Sequence, residues 1–134
     1  MGLFTKTPKP NPKITFEGIE FTFHRDDEWW EFTYRGTEFI SFGPALILPT
    51  KAQLDSILST LESLMPELRM RLEKGLSEWS DGKLDDGEKY SVDVREFAKD
   101  GTFSVSWFDG ASWGDMGAEY TIKGQVIVDE SWGD

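Results

Sequence analysis

The sequence predicts an α+β domain: an antiparallel sheet of three strands, then a kinked helix or helix pair, then four strands, with the helical stretch packed on one sheet face. Three observations carry this reading. Runs of alternating apolar and polar residues occupy the stretch between Ile14 and Phe42. A Leu-rich run of helical periodicity follows Pro49-Thr50. Alternation then resumes at Tyr90 and continues to Val128. The 134 residues suit one core, and Leu, Ile, Val and Phe supply a quarter of them, enough for a charged chain to collapse. We therefore read residues 1–13 as an extended basic arm, where Pro8, Pro10 and Pro12 sit among Lys6, Lys9 and Lys13, and residues 14–134 as a single domain.

Each element has its own justification. Ile14 and Phe16 run in the opposite phase to Ile19, so Gly18 marks a bulge or a turn. With Arg25-Asp26-Asp27-Glu28 as a loop, Phe23 falls opposite Trp30 and Phe21 opposite Phe32, while the other face pairs His24 with Trp29 and Thr22 with Glu31. One face is thus apolar and the other mostly polar, as a hairpin with one buried side requires. The connection at Arg35-Gly36 stays open. A two-residue loop sets Phe39 beside Phe32, whereas a three-residue loop sets Ile40 and Phe42 there.

Thr50 reads as a helix N-cap, with Gln53 completing a capping box. Leu54, Ile57, Leu58, Leu61, Leu64 and Met65 form an apolar stripe, which Leu68, Leu72, Leu76 and Trp79 continue. Pro66 interrupts it, so residues 51–79 form either one kinked helix or two. After the acidic loop Asp81–Glu88, Tyr90 falls opposite Trp107, Val92 opposite Val105 and Val94 opposite Phe103. A final hairpin around Lys123-Gly124-Gln125 pairs Ile122 with Val126 and Tyr120 with Val128.

The composition excludes more chemistry than it suggests. No cysteine means no thiol catalysis and no thiolate metal site, and a single histidine rules out a His-pair centre. His24 ends a strand beside an acidic loop, with no nucleophile elbow anywhere in the chain. We therefore expect no enzyme activity, and no catalytic residue, metal or cofactor is assigned. The net charge of −11 gathers beyond residue 80, where it reaches −8. Such a field repels nucleic acid and anionic membranes and steers basic proteins inward. The basic arm lacks the apolar stretch of a secretory signal, which gives the expectation of a cytoplasmic protein.

Tryptophan is the other distinguishing feature. Of six, Trp30 and Trp107 fall on core faces and Trp79 on the helical stripe. Trp29 falls on the polar face, and Trp113 and Trp132 sit in the repeated tetrapeptides Ser112-Trp113-Gly114-Asp115 and Ser131-Trp132-Gly133-Asp134. The last two either cover the core or anchor a partner. The candidate partner-binding set is Trp29, Asp85, Asp86, Asp109, Trp113, Asp115 and Trp132, with no residue assigned to oligomer contacts. Exposed rings beside carboxylates suit a basic protein, or alternatively a carbohydrate stacked on tryptophan and hydrogen-bonded by aspartate.

The run Gly101-Thr102-Phe103-Ser104-Val105-Ser106-Trp107-Phe108-Asp109, taken with the aromatic-rich early strands and the central Leu-rich helix, resembles small acidic bacterial domains of unknown function. Some of those are immunity proteins of polymorphic toxin systems. The likeness spans most of residues 14–130 and carries no binding residue across. It implies a non-enzymatic inhibitor that neutralises a toxin or nuclease by occluding it.

Overall fold

The structure is a computed structural model and describes residues 11–43, 47–78, 90–108 and 117–133. Eight strands form one sheet in sequence order: β1 (Lys13–Phe16), β2 (Ile19–His24), β3 (Trp29–Tyr34), β4 (Thr37–Phe42), β5 (Tyr90–Asp93), β6 (Phe103–Phe108), β7 (Gly117–Lys123) and β8 (Val126–Gly133). A 27-residue helix, α1 (Lys51–Ser77), lies between β4 and β5, and a single-turn helix, α2 (Phe97–Asp100), lies between β5 and β6.

This corrects the expected order of three strands, helix, four strands: four strands precede the helix. The phase change before Ile19 is a turn, because a two-residue loop pairs residues three apart in sequence on the same sheet face. Phe16 accordingly pairs with Ile19 and Ile14 with Phe21. A second correction concerns the junction of the two halves. β4 and β5 run parallel, Glu38 pairing with Ser91 and Ile40 with Asp93, so the sheet is mixed. A long helical crossover carries the chain back to the end where β4 began, which is what parallel pairing demands.

The open register at β4 closes on the two-residue loop. Phe32 and Phe39 stack with ring centroids 5.1 Å apart and Phe39 is fully buried. Arg35 and Gly36 both take positive φ, 50° and 79°, the backbone of a type I′ hairpin turn. The last hairpin also differs from expectation. Gly124 and Gln125 form a two-residue turn, Ile122 pairs with Ile127, and Val128 sits at an irregularity between the Thr121–Asp129 and Ile122–Ile127 pairs. Val126 and Val128 therefore face solvent and Ile127 enters the core.

The helix is one continuous element through Pro66. Pro66 is exposed, so the Glu62 carbonyl that lost its helical donor lies on the water side. Leu54, Ile57, Leu61, Leu68, Leu72 and Leu76 point inward and pack with Phe21, Phe32, Phe39, Val92, Val105, Trp107, Tyr120 and Ile122 of the sheet. The capping box forms, Gln53 N–H donating to Thr50 Oγ1 and Thr50 N–H to Gln53 Oε1. Glu17, in the β1–β2 turn, accepts the Lys51 N–H at 2.7 Å. Asp55 accepts from Tyr34 Oη and Arg35 Nη1 at 2.8 and 3.2 Å. At the far end Arg71 reaches Glu130 on β8. A helix about 40 Å long thus crosses a sheet whose edge strands lie about 34 Å apart. Among the described residues no helix packs on the opposite sheet face.

Candidate functional site

The helix-free face contains a trough of about 740 Å³ lined from β2 across to β7. Strand register arranges its side chains in three rows running across the strands. The first is aromatic: His24 pairs with Trp29 and Trp29 with Phe42. The His24 and Trp29 rings stack 4.1 Å apart and nearly parallel, and the Phe42 ring lies 6.3 Å beyond. The second row runs Thr22, Glu31, Ile40, Asp93, Ser104, Thr121. The third runs Thr33, Glu38, Ser91, Ser106, Glu119, Ser131. The small serines at the centre leave the floor low between larger walls, and Ser91 is only 4% exposed.

The trough is acidic. Glu20, Glu31, Glu38, Asp93 and Glu119 line it. Lys13 pairs with Glu20 at 3.1 Å, and His24 Nε2 lies 2.7 Å from Glu31 Oε1. Ser106 donates to Glu119 at 3.2 Å. Among the described residues, Glu38 and Glu119 have no basic side chain within 4 Å. With three strand spacings between them, their Cα atoms stand about 14 Å apart across the serine floor. Asp93 is the most enclosed of the five, its side chain 12% exposed. Burial pushes its carboxyl above the ordinary range, opposed by a hydrogen bond from the Arg95 backbone N–H and by the Arg95 charge, with Glu119 and Glu96 adding to the rise.

Of the sequence-predicted site residues, the two described ones, Trp29 and Trp132, lie on opposite faces of the sheet. Trp29 lines the trough. Trp132 lies on the other side of the sheet, paired with buried Ala118, half-buried against Gly75 of α1 and donating its indole N–H to Glu130 at 3.0 Å. It covers the core beside the helix. Asp85, Asp86, Asp109, Trp113 and Asp115 lie outside the described residues, as do the acidic loop containing the first two, residues 1–10 of the arm, and Trp79. The residues that sequence reasoning passed over are Phe42, Glu38, Asp93 and Glu119. Strand parity puts Asp93 and Glu119 on the polar face; Phe42 and Glu38 join it once the two-residue loop sets β4, and the two pairs come together only through the parallel β4–β5 junction.

No family model, curated protein or solved structure matches this chain. What the trough can do chemically is therefore read from its own groups. His24 is packed among an indole, a carboxylate and the Asn11 amide, whose Nδ2 lies 3.4 Å from His24 Nδ1, and none of these is a hydroxyl or thiol that the imidazole would activate. Among the described residues no group of three or more His, Asp or Glu side chains converges as a metal would need. Nor is any described helix long and apolar enough to cross a membrane. Carboxylates around an aromatic shelf are equipped to receive cations and the aliphatic stems that carry them.

Proposed function

We propose that this chain is a non-enzymatic binding protein whose helix-free sheet face receives a basic protein. The observation that carries the proposal is the six-strand trough, with the Trp29–Phe42 shelf on one side and five carboxylates around it, two of them without a basic partner among the described residues. Aromatic anchors near the centre of a contact and acids around them suit a partner rich in lysine and arginine. Combined with the resemblance to immunity proteins, the partner becomes a basic toxin or nuclease that the trough occludes. A cytoplasmic setting belongs to the same proposal, and the cysteine-free composition supports it. The carbohydrate reading has less to rest on, since His24 takes one face of Trp29 and Gly75 underlies Trp132.

The test uses a basic protein that co-purifies with the chain from its native cell. Association of the purified pair is measured at two ionic strengths for wild type, for Trp29→Ala and for the pair Glu38→Gln, Glu119→Gln. Weakening with salt and with both variants, by roughly tenfold for the double variant, is expected. Binding indifferent to salt and to every variant would overturn the proposal.

A further inference from the structure

Arg95 follows β5 and swings back over the aromatic row. Its guanidinium carbon stands 6.0 Å from the Phe42 ring centroid. One terminal nitrogen lies 3.8 Å from Asp93 Oδ2, and Nε lies 3.9 Å from Glu96 Oε1. Both carboxylate distances exceed those of hydrogen-bonded pairs, the ring distance sits at the outer limit of a cation–π contact, and the side chain remains 54% exposed. Beneath it the opposite holds. Asp93 is enclosed, and only its Oδ1 has a short contact, 2.9 Å from the Arg95 backbone N–H. Here an enclosed carboxylate is served by an exposed cation beyond hydrogen-bond distance, and an aromatic ring lies near the cation.

Resting on the reading of this face as a docking surface for a basic protein, we infer that Asp93 and Phe42 form the anchor for a guanidinium carried by the partner, and that Arg95 holds this anchor as a displaceable stand-in. A planar guanidinium stacks on an aromatic ring and meets a carboxylate through two parallel N–H donors, which a lysine ammonium cannot do. The chain's own Arg95 is tethered two positions from the residue it pairs with, and its fork stands open, 3.8 Å from Oδ2. An arginine arriving from across the trough has no such tether. Arg95 lies in the turn after β5, so its side chain can leave without breaking a strand pair. The Asp93 carboxyl also stays insufficiently compensated with Arg95 in place, its titration displaced upward chiefly by burial.

Labelled hexa-arginine and hexa-lysine peptides serve as probes, titrated into the full chain by fluorescence anisotropy at low ionic strength. Asp93→Asn keeps an acceptor for the Arg95 N–H and removes the charge; thermal melting checks that each variant is folded. Wild type is expected to prefer hexa-arginine. Asp93→Asn should weaken hexa-arginine by about tenfold and hexa-lysine by clearly less. Arg95→Ala should strengthen hexa-arginine about threefold, more than Lys13→Ala, which removes the same charge from the same face beside Glu20. Equal gains from Arg95→Ala and Lys13→Ala, or a loss with Asp93→Asn no larger than with Glu119→Gln, would reduce the effect to net charge and overturn the anchor. If Trp29→Ala and Glu38→Gln weaken both peptides while the Asp93 and Arg95 variants behave alike, the anchor fails and the docking face stands. If no variant on this face changes either peptide, the docking reading falls and the anchor with it.

Discussion

At the scale of single residues, the tightest constraint is the approach of Trp132 to Gly75. A Cβ built on Gly75 would overlap the indole ring, so the helix carries glycine where propensity alone favours alanine by about 1 kcal/mol. Gly75→Ala is accordingly expected to destabilise the protein by about 1–3 kcal/mol in urea unfolding. In a Trp132→Ala background the same substitution should become stabilising, since only the propensity gain remains. Asp93 gives a second residue-level expectation. Its carboxyl titrates higher in the folded chain than in the unfolded one, so ionising it opposes folding. Stability should therefore fall as pH rises from the unfolded aspartate range through the folded value. Asp93→Asn should gain stability at neutral pH, and the gain should shrink as the pH is lowered through that window; a gain independent of pH would contradict this. The groups that face Asp93 are Arg95 and Glu96 after its own strand and Glu119 from β7, with Ile40 and Ser104 as cross-strand neighbours.

At the scale of elements, local signals and paired registers account for most of what was legible in the chain. Thr50 and Gln53 are read as a capping box and form one. Thr50→Ala should cost about 1 kcal/mol of stability, measured by chemical denaturation, because the Gln53 N–H loses its acceptor. The hairpin pairs Phe23–Trp30, His24–Trp29, Tyr90–Trp107 and Val92–Val105 match those inferred from phase, since burial of one face penalises any single-residue slip. The two turns left open and the one misplaced share one cause. Type I′ turns favour Asn-Gly or Asp-Gly, but here they are Glu17-Gly18, Arg35-Gly36 and Gly124-Gln125, each placing a long side chain at a positive φ. Tertiary bonds compensate in two of them: Glu17 holds the start of α1 and Arg35 holds Asp55.

At the scale of the whole molecule, the helix divides the sheet into a face that carries the core and a face that no described helix covers. Phe39→Ala, on the helix side and fully buried, should lose about 3–5 kcal/mol. Glu38→Gln and Glu119→Gln, on the other side, should change stability by less than about 0.5 kcal/mol. A thermal-melting series across both faces checks the division, and comparable losses on the two sides would contradict it. The same division explains why the candidate site was only partly readable. Trp29 was identified because it broke the apolar pattern of its strand. Glu38 and Asp93 fit a polar face unremarkably, and they become a site only when β4 lies beside β5. Trp132 was read as a partner anchor or a core cover, and Gly75, on another element, selects the second role.

By itself the sequence determined the local order of this protein: where the long helix begins, which stripe of it is apolar, which side of the β2–β3 and β5–β6 hairpins is buried, and that the chain is strongly acidic. Those properties follow from residues a few positions apart, whose backbone periodicity and capping chemistry act before any long-range contact forms. Tertiary structure alone decided that β1 pairs as a full strand, that the two halves join in parallel, and that acids of both halves share one sheet face with Trp29 and Phe42. The reason is physical. A crossover helix must bury its apolar stripe along its whole length, and it can do so only on one sheet wide enough to receive it. The two sets of four strands therefore close side by side, and the trough is what their other face becomes.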